Sequence, residues 1–193
     1  AVQLVDGSGV VHELAGGDAL RAARVAVGAL GVITEVTLRC VPLFTLRGVD
    51  VPVPLAEVLD QLDERADAAR HFEFFVFPHT DVALTRTNEV VEGPPRPPSR
   101  PQRFVEDVLV NNAVLGAAVV AGRRAPRLIP SINRAIARAS TARTRVDRAD
   151  RVFASPRLVR FVEMEQAFPR AAARQVVEEI LEIVERYPVN FPI

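Results

Sequence analysis

Residues 43–91 carry the pattern that leaves the fewest folds open. Residues 43–53 read as one long strand, which Pro52 and Pro54 bound. Pro54 suits the first turn of a helix. Leu55, Val58, Leu59, Leu62, Ala66 and Ala69 then recur at i, i+3, i+4, i+7, i+11 and i+14. That is a single apolar helical stripe, with Glu57, Asp60, Asp63, Glu64 and Asp67 mostly outside it. Two further strands follow, at residues 71–77 and 82–90, separated by Pro78. Strand, helix, strand, strand in this order predicts an α+β fold with a largely antiparallel sheet flanked by helices.

The chain before this pattern is a smaller unit. Residues 2–5 and 10–14 are short extended runs around Asp6-Gly7-Ser8-Gly9, a strong hairpin signal. Asp18 is placed to cap a short helix reaching about Val25. A turn with Gly28 and Gly31 then leads through Val32 and Ile33 into a β-branched strand at residues 35–41. Glycines there serve either close packing of a helix on a strand or the approach of backbone N–H groups to a phosphate or adenine.

After the strands, residues 93–103 form a Pro- and Arg-rich loop, expected to be extended or irregular. Residues 104–121 read as a helix, too short and too interrupted by acidic and amide groups to span a bilayer. Nine arginines fall between Arg123 and Arg151 against only Asp147 and Asp150, a local charge of 9 − 2 = +7. A solvated basic surface and peripheral contact with an anionic membrane both remain open. With no aromatic residue between Phe104 and Phe153, single-strand stacking is unsupported, and no nucleic-acid partner is expected. Residues 170–186 make an amphipathic helix that Tyr187-Pro188 stops, and residues 189–193 begin another strand.

Composition narrows the chemistry. The net charge is zero, and every one of the 24 basic residues is Arg, which excludes Lys-based Schiff-base chemistry within the chain. A lone cysteine, Cys40, excludes an internal disulfide framework and favours a reducing, cytoplasmic setting. Three histidines, His12, His71 and His79, lack a matching ligand cluster, so no metal site is expected. One of His71 and His79 could still contact a substrate.

Residues 151–169, RVFASPRLVRFVEMEQAFP, concentrate the remaining interest. Residues 158–166 suit a strand, which would put Glu163 and Glu165 on one face roughly 6–7 Å apart. Such a spacing permits an acid/base pair. The blander alternative is that both balance arginines such as Arg157 on a solvated rim.

Ser155-Pro156-Arg157, then Val159-Arg160-Phe161 and Glu163-Met164-Glu165, resembles the cap domain of the aldonolactone oxidases. These are flavoproteins of the vanillyl-alcohol-oxidase-like fold. The family pattern has Tyr where this chain has Gln166, so a hydroxyl role there does not carry over. RAARVAVGALGVITEVTL at residues 21–38, and HFEFFVFPHTD with the later TRTN at residues 71–88, resemble the same family. The resemblance implies the end of an FAD-binding domain at residues 1–42 and most of a substrate (cap) domain at residues 43–193. It also implies Gly28, Gly31, Val32 and Ile33 as backbone in contact with FAD.

The implied activity is oxidation of an aldono-1,4-lactone, such as D-arabinono- or L-gulono-1,4-lactone, by hydride transfer to flavin. Oxygen or another electron acceptor would reoxidise the flavin. By the same resemblance the pyrophosphate loop lies before Ala1 and an active-site Glu-x-Arg after Ile193, so no catalytic residue is assigned. Both chain ends read as cuts, and the chain alone is expected to be inactive. An alditol oxidase of the same fold, or a non-catalytic piece binding anionic membrane through its Arg-rich segment, are the alternatives.

Overall fold

The computed structural model describes residues 1–154, 156–160 and 163–189, without the side chains at positions 107, 110 and 111. The chain forms two compact units, Ala1–Pro42 and Leu43–Ile193.

The first unit is a three-stranded antiparallel sheet with one helix. β1 (Val2–Val5) pairs with β2 (Val11–Leu14) on one side and β3 (Val32–Val36) on the other. The hairpin forms as its sequence predicts, because Asp6 replaces missing backbone partners in the turn. Its Oδ1 accepts from Ser8 N at 2.8 Å, Ser8 Oγ at 2.6 Å and Val10 N at 3.1 Å. α1 (Gly17–Arg24) lays Leu20 and Ala23 on Val2, Leu4 and Leu14, which is the whole core of this unit. Asp18 does not cap the helix. Gly16 occupies the cap position, and Asp18 sits inside the first turn paired with Arg21. There it still favours the positive end of the helix dipole. β3 also starts earlier than its β-branched run suggests, directly after Gly31, and ends at Val36.

The second unit is a four-stranded antiparallel sheet in the order β5-β6-β4-β7. Its strands are β4 (Thr45–Pro54), β5 (His71–Val76), β6 (Val82–Val91) and β7 (Arg143–Arg148). Antiparallel register puts directly opposed residues on one face. Val51, Val53, Phe72, Phe74 and Ala83 therefore share a face, and Val58 and Leu55 pack onto it. Those two come from α2 (Leu55–Asp60), which Gln61 separates from α3 (Leu62–Ala68). The predicted stripe is thus carried by two short helices rather than one. Asp60, Asp63 and Asp67, outside the stripe, receive Arg174 and Arg170 from the chain at the start of α8 (Ala173–Val184).

The opposite face takes α7 (Ala149–Phe153), whose Val152 reaches Gly48. Between β6 and β7, helix begins at Arg100, inside the segment predicted to be extended. Ser99 Oγ accepts from Gln102 N, and Pro101 sits in the first turn, where its missing N–H costs nothing. α4 (Arg100–Phe104), a π-helix at Val105–Val114 and α5 (Leu115–Arg124) continue without a break in helical backbone. A 3-10 turn and α6 (Ile129–Ala139) lead into β7.

Residues 158–160 and 163–166 are not strand. Strand propensity needs a partner to become a ladder. Here Asn112 binds the segment by its side chain instead, Nδ2 donating to Pro156 O at 2.9 Å and Oδ1 accepting from Leu158 N at 2.7 Å. Phe161 and Val162, in the middle of this expected strand, and residues 190–193, most of an expected terminal one, lie outside the described residues.

Candidate functional site

In the first unit, Gly28 and Gly31 lie in the turn between α1 and β3, and Val32 and Ile33 are the first two residues of β3. The backbone is left-handed at Val27 (φ 47°), Gly28 (φ 79°) and Gly31 (φ 141°). The two glycines answer to different demands. A Cβ on Gly31 would stand 2.2 Å from the Val5 carbonyl oxygen, so the approach of β1 dictates glycine there. A Cβ on Gly28 would meet nothing within 4 Å. Val32 and Ile33 are 69% and 47% exposed, and Leu30 beside them is exposed as well. The turn thus offers open backbone at Gly28, followed by exposed apolar side chains at Leu30, Val32 and Ile33.

In the second unit, one sheet face carries charge. Asp50, Arg86 and Glu73 are directly opposed across β4, β6 and β5. Arg86 holds Asp50 with both ends of its fork, Nε to Oδ1 at 2.6 Å and Nη2 to Oδ2 at 3.0 Å, and reaches Glu73 at 3.4 Å. Its guanidinium lies 5.7 Å from the Phe75 ring centre. The Asp50 hydrogen bond raises the Arg86 pKa against the opposing effect of burial. One row along, Gly48 is opposed to Asn88 and Arg145. Asp147, fully buried, accepts from Arg148 N at 2.8 Å and lies 3.5 Å from Arg145. Sequence reasoning passed over this face because its carboxylates sit at alternate positions of three separate strands. Only the register brings them together.

The β5–β6 turn shapes a cavity of about 410 Å³ lined by His79, Thr80, Asp81, Arg134, Arg138 and Glu185 among others. His79 is left-handed (φ 65°), and its buried Nε2 has no hydrogen-bond partner among the described residues. His71 has a packing role, its ring edge-on to Phe153 at 5.1 Å. Behind the cavity Asn133, 2% exposed, donates to Pro78 O and to Val189 O, both at 3.0 Å. The signal for Asn133 is its place between Ile129 and Ala137 on the inward stripe of α6. A polar side chain there must be satisfied or costs stability.

The remaining sequence candidates separate. Glu163 and Glu165 are exposed, and no ion pair reaches either among the described residues. Cys40 is exposed, and no group of three metal-ligating side chains occurs among the described residues. The Arg-rich segment is partly neutralised locally, Arg143 by Glu106 and Arg148 by Asp150. Among the described residues no helix is long and apolar enough to cross a membrane.

Comparison with known families gives the decisive observation: the sequence model of D-arabinono-1,4-lactone oxidase matches residues 36–193. The chain belongs to the D-arabinono-1,4-lactone oxidase family. Over its full length it is 44% identical to the L-gulono-1,4-lactone dehydrogenase of Mycobacterium tuberculosis, of which it spans 45%. It is 34% identical to the L-gulonolactone oxidase of Mus musculus over 69% of the chain and 30% of that relative. The corresponding enzyme of Scyliorhinus torazame is 29% identical over 90% of the chain and 40% of the relative. The chain spans less than half the length of these relatives. Membership in the D-arabinono-1,4-lactone oxidase family agrees with the observed α+β architecture of antiparallel sheets and helices.

Proposed function

We propose that this chain is part of an FAD-dependent oxidoreductase that oxidises an aldono-1,4-lactone, D-arabinono- or L-gulono-1,4-lactone. In this reading residues 1–42 close an FAD-binding domain and residues 43–193 form most of a substrate (cap) domain. The observation that carries it is the 44% identity to a lactone dehydrogenase across the entire chain, spanning both units without a gap in coverage. Bound flavin would accept the hydride. Within this chain, Gly28 and the neighbouring Val32 and Ile33 are the residues we assign to hold it, backbone at the first and apolar contact at the others. Gly31 supports that turn by letting β3 close on β1.

The second unit contributes a rigid charged sheet face through Asp50, Arg86 and Glu73. We infer that residues 1–193 alone retain no stoichiometric flavin and turn nothing over. The test is an anaerobic titration of the full-length protein with L-gulono-1,4-lactone, D-arabinono-1,4-lactone and xylitol, following bleaching of the flavin band. Bleaching by a lactone is expected. Bleaching by xylitol alone would reassign the protein to polyol oxidation, and a full-length protein without flavin would end the reading.

A further inference from the structure

The long helical segment between β6 and β7 turns an inverted side to solvent. α4, the π-helix at Val105–Val114 and α5 run from Arg100 to Arg124 without a break in helical backbone. The inner side is held by the protein. Asn112 binds Pro156 and Leu158, Glu106 pairs with Arg143, and Gly116 faces Val159. On the outer side, among the described side chains, each exposed one from Phe104 to Ala121 is apolar. Val105, Leu109, Ala113, Ala117 and Ala121 recur every four residues, which sets them in line along the helix. Phe104, Val114 and Val120 are next to members of that line in sequence and are 56%, 57% and 44% exposed. A surface helix ordinarily points charge outward and apolar groups inward, and a continuous apolar stripe in water marks a contact site.

The same part of the chain is basic. From Val108 to Val146 the sequence holds seven arginines and no Asp or Glu, in a chain with 24 residues of each sign. Four of the seven have carboxylates nearby. Asp81 and Glu185 share a groove with Arg134 and Arg138, Glu106 takes Arg143, and Asp147 faces Arg145. The other three, Arg123, Arg124 and Arg127, stand at the end of the apolar stripe, all exposed, with Leu128 exposed beside them. An apolar stripe that ends in a cationic cluster matches the anionic boundary between a polar and an apolar phase.

We propose that the outer side of this helical segment docks on an anionic lipid surface. The segment lies in the plane of the interface, its apolar stripe at the acyl boundary and Arg123, Arg124 and Arg127 among the headgroup phosphates, whose oxygens suit guanidinium forks. It does not cross, since among the described residues no helix is long and apolar enough to do so. A lipid surface fits better than an acidic protein. Protein interfaces concentrate their energy in large anchors seated in pockets, and three of the five aligned positions here are alanine. A fluid apolar phase needs no matching pocket. The contact rests on residues of the second unit and is independent of flavin and of lactone oxidation.

Co-flotation of the full-length protein with lipid vesicles tests it, comparing phosphatidylcholine mixed with phosphatidylglycerol against phosphatidylcholine alone. Saturable binding to the anionic vesicles is expected, at least about ten-fold tighter than to the neutral ones and weakened by added salt. Arg123→Gln together with Arg124→Gln should weaken it about thirty-fold, the value of two arginines at a charged surface, and should remove most of the salt dependence. Leu109→Gln together with Val120→Gln should weaken it about ten-fold or more while leaving the salt dependence in place. All four positions are exposed, so the melting temperature should hold in both variants. No binding to the anionic vesicles overturns the proposal, whether another part of the full-length protein or a second copy covers the stripe. Binding that both double variants leave unchanged puts the lipid contact elsewhere and overturns it equally.

Discussion

The two sheets of this chain are stabilised in different ways. In the second unit both faces of the sheet are covered, α2 on one and α7 on the other, and Leu46, Val58, Ala83 and Asp147 reach zero exposure. In the first unit a single helix covers part of one face, β3 is exposed along all five residues, and four buried side chains make the core. Within residues 1–42 the packing contacts are few, and the strands are held as well by turn geometry, by a glycine beside a carbonyl and by a carboxylate that organises a hairpin.

The largest effect that sharpens this contrast is expected in the packed unit. Asp147→Ala removes a fully buried carboxylate facing Arg145 and leaves the Arg148 amide without its acceptor. Breaking a buried charge pair costs roughly 3–5 kcal/mol, and the low end applies because Arg145 keeps partial contact with water. Urea unfolding should record a loss of roughly 3 kcal/mol, confined by amide exchange to residues 43–189. A loss below about 1 kcal/mol would mean that this buried charge contributes little to the unit.

In the turn-dependent unit, two glycines separate fold from cofactor. Gly31→Ala drives a methyl into the Val5 carbonyl and should destabilise β3 by about 2 kcal/mol, read from amide exchange in β1 and β3. Gly28→Ala meets open space and suffers only from its left-handed backbone, about 1 kcal/mol. If Gly28 presents backbone to flavin, its substitution should cost the full-length protein more flavin affinity than stability. Equal stability losses at the two positions would contradict the geometry.

How much of this was legible in the sequence follows the range of each interaction. The hairpin, the stripe on α2 and α3 and the β5–β6 pair are written in neighbouring residues and form within a residue or two of expectation, while the amphipathic α8 begins three residues later than expected, after a 3-10 turn at Arg170–Ala172. The strand expected at residues 158–166 depends on a distant partner, and the described part is held by Asn112 instead. Helix start at Arg100 was hidden because prolines flank Ser99, which reads as loop until its capping bond is seen. Gly28 and Gly31 looked equivalent in sequence, and only the position of Val5 distinguishes them. The Asp50–Arg86–Glu73 row and the cavity of His79, Arg134 and Arg138 join segments far apart in the chain, beyond any local pattern.

The smallest effect concerns the hairpin turn and its response to acid. The Ser8 hydroxyl, His12 and the amides of Val10 and Ser8 all point at the Asp6 carboxylate, and they hold its pKa well below the ordinary value of 3.8. A group whose pKa is lowered by folding stabilises the fold while it is ionised. Its contribution is therefore complete above the ordinary carboxylate pKa and disappears as pH falls from there towards the depressed value. Asp67 and Asp150 in the second unit are lowered by Arg170 and Arg148, so acid weakens both units and a global melt cannot assign the cause. An NMR acid titration of the Ser8 and Val10 amides can. In the natural sequence those amides should keep their shifts through pH values near 4 and move only in stronger acid. With Asp6→Asn the neutral amide still accepts one bond but no longer titrates, so the shifts should be altered at neutral pH and flat below it. Parallel acid transitions in the two proteins would show that the turn owes its order to Gly9 and Ser8 rather than to the charge on Asp6.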